Sequence, residues 1–272
     1  MLERIVASAP LYFLVAARCF TLIMSLPLFS SRTVPRIAKV ALAMYLAFFI
    51  FSRHSLYAGP FASYLSYITP SGNFNLEYIL LLMGEGIIGL IIGFYISLIF
   101  GAFSTAGQFF AFQMGFSAAE AYDALSQVEN PLMGQYLNFL AMLVFLNNRW
   151  FQKLFTYGLL ASFDSLNAFS IAMNNKGLMT FMLSGLTSLF YNALIIALPL
   201  MGTLFLINVA MGLLSKAAPQ MNLLSEGFPT LMLTAFFIIT ALMPDLLDLF
   251  ESSFEAGFRQ LQYLLIKMGG QG

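Results

Sequence analysis

Hydrophobic positions run through this chain in long blocks, and formal charges are sparse and fall mostly between them. From Gly177 to Ser215 no residue carries a formal charge. As one straight helix that block would measure about 58 Å, nearly twice the roughly 30 Å hydrocarbon core of a bilayer. That length predicts a kink or turn, expected at Pro199-Leu200-Met201-Gly202. Further apolar blocks lie at Ile5 to Phe29, Ile37 to Phe51, Tyr78 to Phe100, Pro131 to Leu146, Leu154 to Met173 and Phe228 to Met243. Several are short for a span or carry a charge: Arg18 in the first, Lys39 in the second, Glu85 in the third. A charge at a bilayer centre costs roughly 2.5 to 3.5 kcal/mol on insertion scales. The pattern therefore predicts an all-α, polytopic membrane protein of kinked helical hairpins packed mainly against protein.

Smaller patterns sharpen this picture. Pro60 to Asn75 gathers Pro60, Pro70 and Gly72 among Ser, Thr and Tyr, which predicts a loop or broken amphipathic segment. Phe254 to Lys267 places Phe254, Phe258, Leu261, Leu265 and Ile266 near helical spacing, which predicts a separate amphipathic helix at a membrane surface or partner interface. Gly89, Gly93, Ser97 and Gly101 recur every four residues, so one helix face carries almost no side-chain bulk and lets another backbone approach closely. The stretch from Ala106 to Phe116 sets Phe109, Phe110, Phe112, Gln113, Met114 and Phe116 around Gly107 and Gly115. A buried or amphipathic core helix explains it. So does a deformable seal, since Met adapts its shape and Gly frees the backbone.

Composition narrows the class. Hydrophobic residues make up 60% of the 272 and charged ones 9%, with a mean hydropathy of +0.85, whereas soluble domains carry near 25% charged residues. Thirty Phe and twelve Tyr exposed to water would aggregate. Twelve basic and twelve acidic residues balance, so there is no electrostatic footprint for nucleic acid. The single Cys19 excludes an intramolecular disulfide, and one histidine, His54, leaves no zinc cluster; no cofactor is expected. The N-terminal apolar run is interrupted by Pro10 and Arg18, which favours a retained first helix over a signal peptide. Arg32, Arg36 and Lys39 place their end on the cytoplasmic side by the positive-inside rule.

Ionisable residues in apolar surroundings are the remaining candidates for chemistry. Glu85 could relay protons or pair with an arginine of another helix; it lacks a chain of acidic partners, and pairing is the simpler reading. Glu120, Asp123 and Glu129 stand among small and polar residues, as in a solvated loop, with no nucleophile or metal ligand beside them. No phosphate-binding glycine loop, Ser-His-Asp set or metalloprotease helix occurs, so no enzyme is expected.

Four groups of residues, in order, carry a resemblance that spans essentially the whole chain. They are Arg18 with Pro27 and Ser31-Arg32-Thr33-Val34-Pro35-Arg36; Gly84-Glu85-Gly86-Ile87-Ile88-Gly89; Ala106-Gly107 through Gln113-Met114-Gly115; and Ala218-Pro219-Gln220-Met221-Asn222 followed by Gly227-Phe228-Pro229. In these the chain resembles the FliR family of flagellar biosynthetic proteins, whose virulence-associated counterpart is the T subunit of type III secretion export gates. The resemblance implies one copy completing a helical ring of FliP and FliQ, with FlhB and FlhA as further partners, in the bacterial inner membrane at the flagellar basal body. Unfolded proteins would leave the cytoplasm through that ring. It also implies a FliP-like part, residues 1–179, joined to a FliQ-like part, residues 180–272, with the pore plug at Phe109 to Phe116. The chain departs from the family pattern at Ala124 and at Asn147-Asn148-Arg149-Trp150. A small-molecule or ion transporter is the alternative; it calls for inverted repeats and a midplane polar site, and neither is visible in the sequence.

Overall fold

The computed structural model describes residues 2–30, 34–53, 59–67, 75–115, 132–217 and 227–268. Every regular element among them is helical. In chain order they are α1 (Leu2–Ser25), α2 (Pro27–Ser30), α3 (Arg36–Arg53), a 3-10 segment (Gly59–Tyr67), α4 (Leu76–Gln113), α5 (Leu132–Asn147), α6 (Trp150–Lys153), a π-helical stretch (Leu154–Leu160), α7 (Ala161–Ser165), α8 (Ala168–Met173), α9 (Asn175–Ala217) and α10 (Phe228–Met268). Four stretches are long and apolar enough to cross a membrane: Ser8–Ser25, Leu76–Gln113, Lys176–Ala217 and Pro229–Met268. The all-α polytopic class read from the sequence is the class of the structure.

No turn interrupts the chain at Pro199: α9 runs through it as one helix of 43 residues. At 1.5 Å per residue it is about 64 Å long, more than twice the hydrocarbon thickness. A proline deletes one backbone bond, and the turns on both sides carry the helix past it. The bilayer bounds the length of a span, not of a helix, and α9 continues past that length. For the same reason Phe228 to Met243 and the amphipathic tail Phe254 to Lys267 are one helix, α10, continuous through Pro244. Conversely, Leu154 to Met173 is not one helix. It passes from π to α geometry, breaks at Leu166 in extended conformation (φ −122°, ψ 140°) and restarts at α8. Asn167 caps that restart: its side chain accepts from the Ser170 N–H while Ser170 Oγ accepts from the Asn167 N–H. The first block divides as well, α1 ending at Ser25 and α2 starting at Pro27.

The chain forms two compact units. The first comprises Met1–Leu98, Arg149–Gly185 and Glu255–Gly272; the second comprises Ile99–Asn148 and Leu186–Phe254. In the first, α1 lies against α3, and Tyr12 Oη donates to the Met44 carbonyl at 3.1 Å. The centre of the second is aromatic. Phe103 lies 4.3 Å from Phe250 and 5.4 Å from Phe254 between ring centroids, and Phe100 and Phe145 each lie 5.1 Å from Phe254. All five rings are buried.

Candidate functional site

At the heart of the first unit the arginine on α1 meets the carboxylate on α4. Arg18 Nε and Nη2 both reach Glu85 Oε2 at 2.7 Å, and neither side chain is exposed. Nη1 donates to Ser162 Oγ and Nη2 to the Leu166 carbonyl, each at 2.9 Å. The guanidinium carbon lies 4.2 Å from the Phe163 ring centroid and 5.4 Å from that of Phe61. The other Glu85 oxygen accepts from Tyr64 Oη at 2.6 Å, and Tyr64 in turn accepts from the Ala168 N–H. Burial first, then the Glu85 charge, pushes the Tyr64 phenol well above its ordinary range, so it stays a donor.

The local structure explains why each group is available. Extended geometry at Leu166 ends α7 and frees a carbonyl that a continuing helix would have bonded internally. Sequence reasoning placed Glu85 opposite an arginine, and Arg18 is that arginine. It missed Tyr64, Ser162 and the Leu166 carbonyl. The signal that pointed there is the polar run Ser162, Asp164, Ser165 and Asn167, ending in the Asn167-x-x-Ser170 cap.

A buried ion pair gains little over apolar packing, yet removing one partner costs about 3–5 kcal/mol, because it strands a charge. The exposed Arg259–Glu255 pair, 2.9 Å apart on α10, is worth only about 0.3–0.5 kcal/mol. The Arg18 cluster is therefore a clamp tying α1, α4, the 3-10 segment and the α7–α8 break. Its polar groups are spent on one another, and they present no open site to a solute.

The small residues on α4 sit directly beside α1. A Cβ added at Gly89 would fall on the Arg18 carbonyl oxygen and Thr21 Oγ1, and one at Gly93 on Ser25 Oγ. Ser97 Oγ donates to the Ser25 carbonyl at 2.7 Å. Gly101 belongs to the second unit and faces Leu189 Cδ1, which an added Cβ would meet at 3.0 Å. Gly107 lies so close to the backbone of Met133 and Gly134 on α5 that no side chain fits.

The aromatic stretch beyond Gly107 is the last turns of α4. Phe110 and Met114, four residues apart, are buried; Phe109 and Gln113 are half-buried; Phe112 is 70% exposed. Gly115 adopts φ 79°, the left-handed geometry that ends helices, with its N–H bonded to the Phe112 carbonyl at 3.2 Å. Phe116, Glu120, Asp123, Ala124, Glu129 and the Ala218 to Asn222 stretch lie outside the described residues. Where the family pattern changes at Asn147-Asn148-Arg149-Trp150, Arg149 takes φ 56°, a conformation that favours glycine.

Helices far longer than a bilayer, apolar residues turned outward and a saturated polar centre define an all-helical polytopic membrane protein. The chain belongs to the bacterial export proteins, family 1, whose family model matches residues 9–257. It is 29% identical to flagellar biosynthetic protein FliR of Escherichia coli (strain K12) over 261 residues, 95% of this chain and 94% of that one. It is 26% identical to FliR of Bacillus subtilis (strain 168) over 262 residues, 96% of each chain. Surface presentation of antigens protein SpaR of Shigella flexneri is 31% identical over 170 residues, 62% of this chain and 64% of that protein. The chain is thus a component of a bacterial type III protein-export apparatus.

Proposed function

We propose that the chain is the single copy closing a helical ring of FliP and FliQ in the inner membrane at the flagellar basal body. FlhB and FlhA adjoin that ring, and unfolded flagellar proteins leave through it. The observation that carries this reading is the family match, which runs through both compact units. The outward apolar surface supports it. Met179, Leu186, Phe190, Leu198, Phe205 and Leu214 are all exposed along α9, about 52 Å from first to last, a length that lipid alone cannot cover. In this reading residues 1–179 are the FliP-like part and 180–272 the FliQ-like part, and the chain's work is mechanical, with no catalytic step.

An empty pore wide enough for a polypeptide would leak ions unless apolar side chains close it and can move aside. Phe109 to Phe116 is the proposed plug. Phe110 and Met114 anchor it in the chain's own core, which leaves Phe112 and the residues after Gly115 to close the pore. Tagged chain co-produced with FliP and FliQ from the same genome tests the assembly. One copy of the chain is expected to elute in a fixed ratio with both. Elution free of FliP and FliQ, while those two still assemble, would contradict the proposal.

A further inference from the structure

Where α9 starts and α10 ends, the first unit holds a cavity of about 420 Å³, within the range of small-ligand sites. Lys176 and Lys267 line it, with Asn174, Thr180, Ser184 and Gln260 supplying amide and hydroxyl groups, and no acidic side chain contributes to its wall. Neither lysine forms an ion pair with a described residue. The Gln260 amide is oriented from behind: its Oε1 accepts from Tyr95 Oη at 2.6 Å, which leaves the NH₂ as its donor end. Tyr95 itself stacks on Phe181, 4.4 Å between centroids. The cavity thus combines two lysines that form no ion pair with a described residue and several neutral donors, the chemistry that takes a phosphate group.

Its position selects the kind of phosphate. The apolar stretch Lys176–Ala217 begins at this cavity and Pro229–Met268 ends at it, so its lysines are the terminal charges of two candidate spans. Lysines that end an apolar stretch meet lipid headgroups where that end lies at the bilayer surface. The Lys267 ammonium lies 5.9 Å from the ring centroid of Tyr263, which is 66% exposed, the aromatic-plus-cation pairing of a membrane interface. We propose that this cavity binds the phosphodiester headgroup of an anionic phospholipid, its acyl chains running down the exposed apolar side of α9. This proposal goes beyond the pore reading, and its failure would leave that reading standing.

The test uses the full chain, purified in detergent with its assembled partners, and native mass spectrometry of added phosphatidylglycerol or phosphatidylcholine. Phosphatidylglycerol is expected to be retained in preference to phosphatidylcholine. Lys176→Gln with Lys267→Gln should cut that retention about tenfold or more, the scale set by two interfacial lysines, and leave phosphatidylcholine unchanged. Both lysines are exposed, so the fold should survive the change. Lys216→Gln, at the far end of α9, should change nothing. Equal retention of phosphatidylglycerol by wild type and double variant would overturn the proposal. Displacement of the lipid by inorganic phosphate at constant ionic strength would overturn it too, by showing that the site takes free phosphate.

Discussion

The two units solve the same problem with opposite chemistry. The first is centred on Arg18, Glu85, Tyr64 and Ser162, groups that bond only in one geometry. The second is centred on Phe100, Phe103, Phe145, Phe250 and Phe254, whose side chains contain no polar atom. A buried polar cluster penalises every arrangement that leaves a partner unmet. Ring contacts leave no polar atom unmet and admit several offset and edge-on geometries. The unit that holds α1 and α4 in register is thus built for one arrangement. The unit that contains the end of α4, where the proposed plug begins, tolerates adjustment.

The largest effect should come from halving the clamp. Arg18→Met leaves the Glu85 carboxylate buried without its cation and is expected to cost about 3–5 kcal/mol, read as loss of accumulated chain or a fall in its thermal midpoint in detergent. Adding Glu85→Met to that variant should restore part of the loss. A double variant as unstable as the sum of the singles would show that no coupled pair exists. Next comes Gly93→Leu, which forces α4 away from Ser25 on α1 and should cost about 1–3 kcal/mol or prevent assembly. Normal recovery of the complex would mean that the two backbones separate without penalty.

The aromatic unit should respond more mildly. Phe254→Leu keeps an apolar group among Phe100, Phe103 and Phe145 and is expected to cost less than about 1.5 kcal/mol, about a third of the clamp variant. A cost equal to that of Arg18→Met would erase the distinction between the units. The smallest effect is a gain: Arg149→Gly relieves left-handed geometry at some entropic expense and should stabilise by about 0.5 kcal/mol.

These contrasts also explain what the sequence disclosed. The pairing of Glu85 with an arginine was legible because a lone carboxylate in an apolar block demands a cation. Ser162 and the Leu166 carbonyl were not legible. They lie 144 and 148 residues from Arg18, and one of them is a backbone atom that no composition reveals. The break at Leu166 was overlooked because the block from Leu154 to Met173 was read by its apolar residues, although Ser162, Asp164, Ser165 and Asn167 interrupt it. The turn admitted at Pro199 came from measuring α9 against lipid alone. In the aromatic stretch, side-chain type could not separate Phe110, buried in the chain's own core, from Phe112, two residues on and turned outward.

That last pair allows the most direct test of the proposal that this chain helps to close an export pore. Phe112→Asp with Phe116→Asp spares Phe110 and Met114, so gates carrying it should assemble with FliP and FliQ as the unmodified ones do. Ion conductance of the assembled gates in planar bilayers, measured without substrate, is predicted to rise severalfold as charge replaces the apolar seal. Assembled variant gates that stay as tight as the unmodified ones would contradict the account.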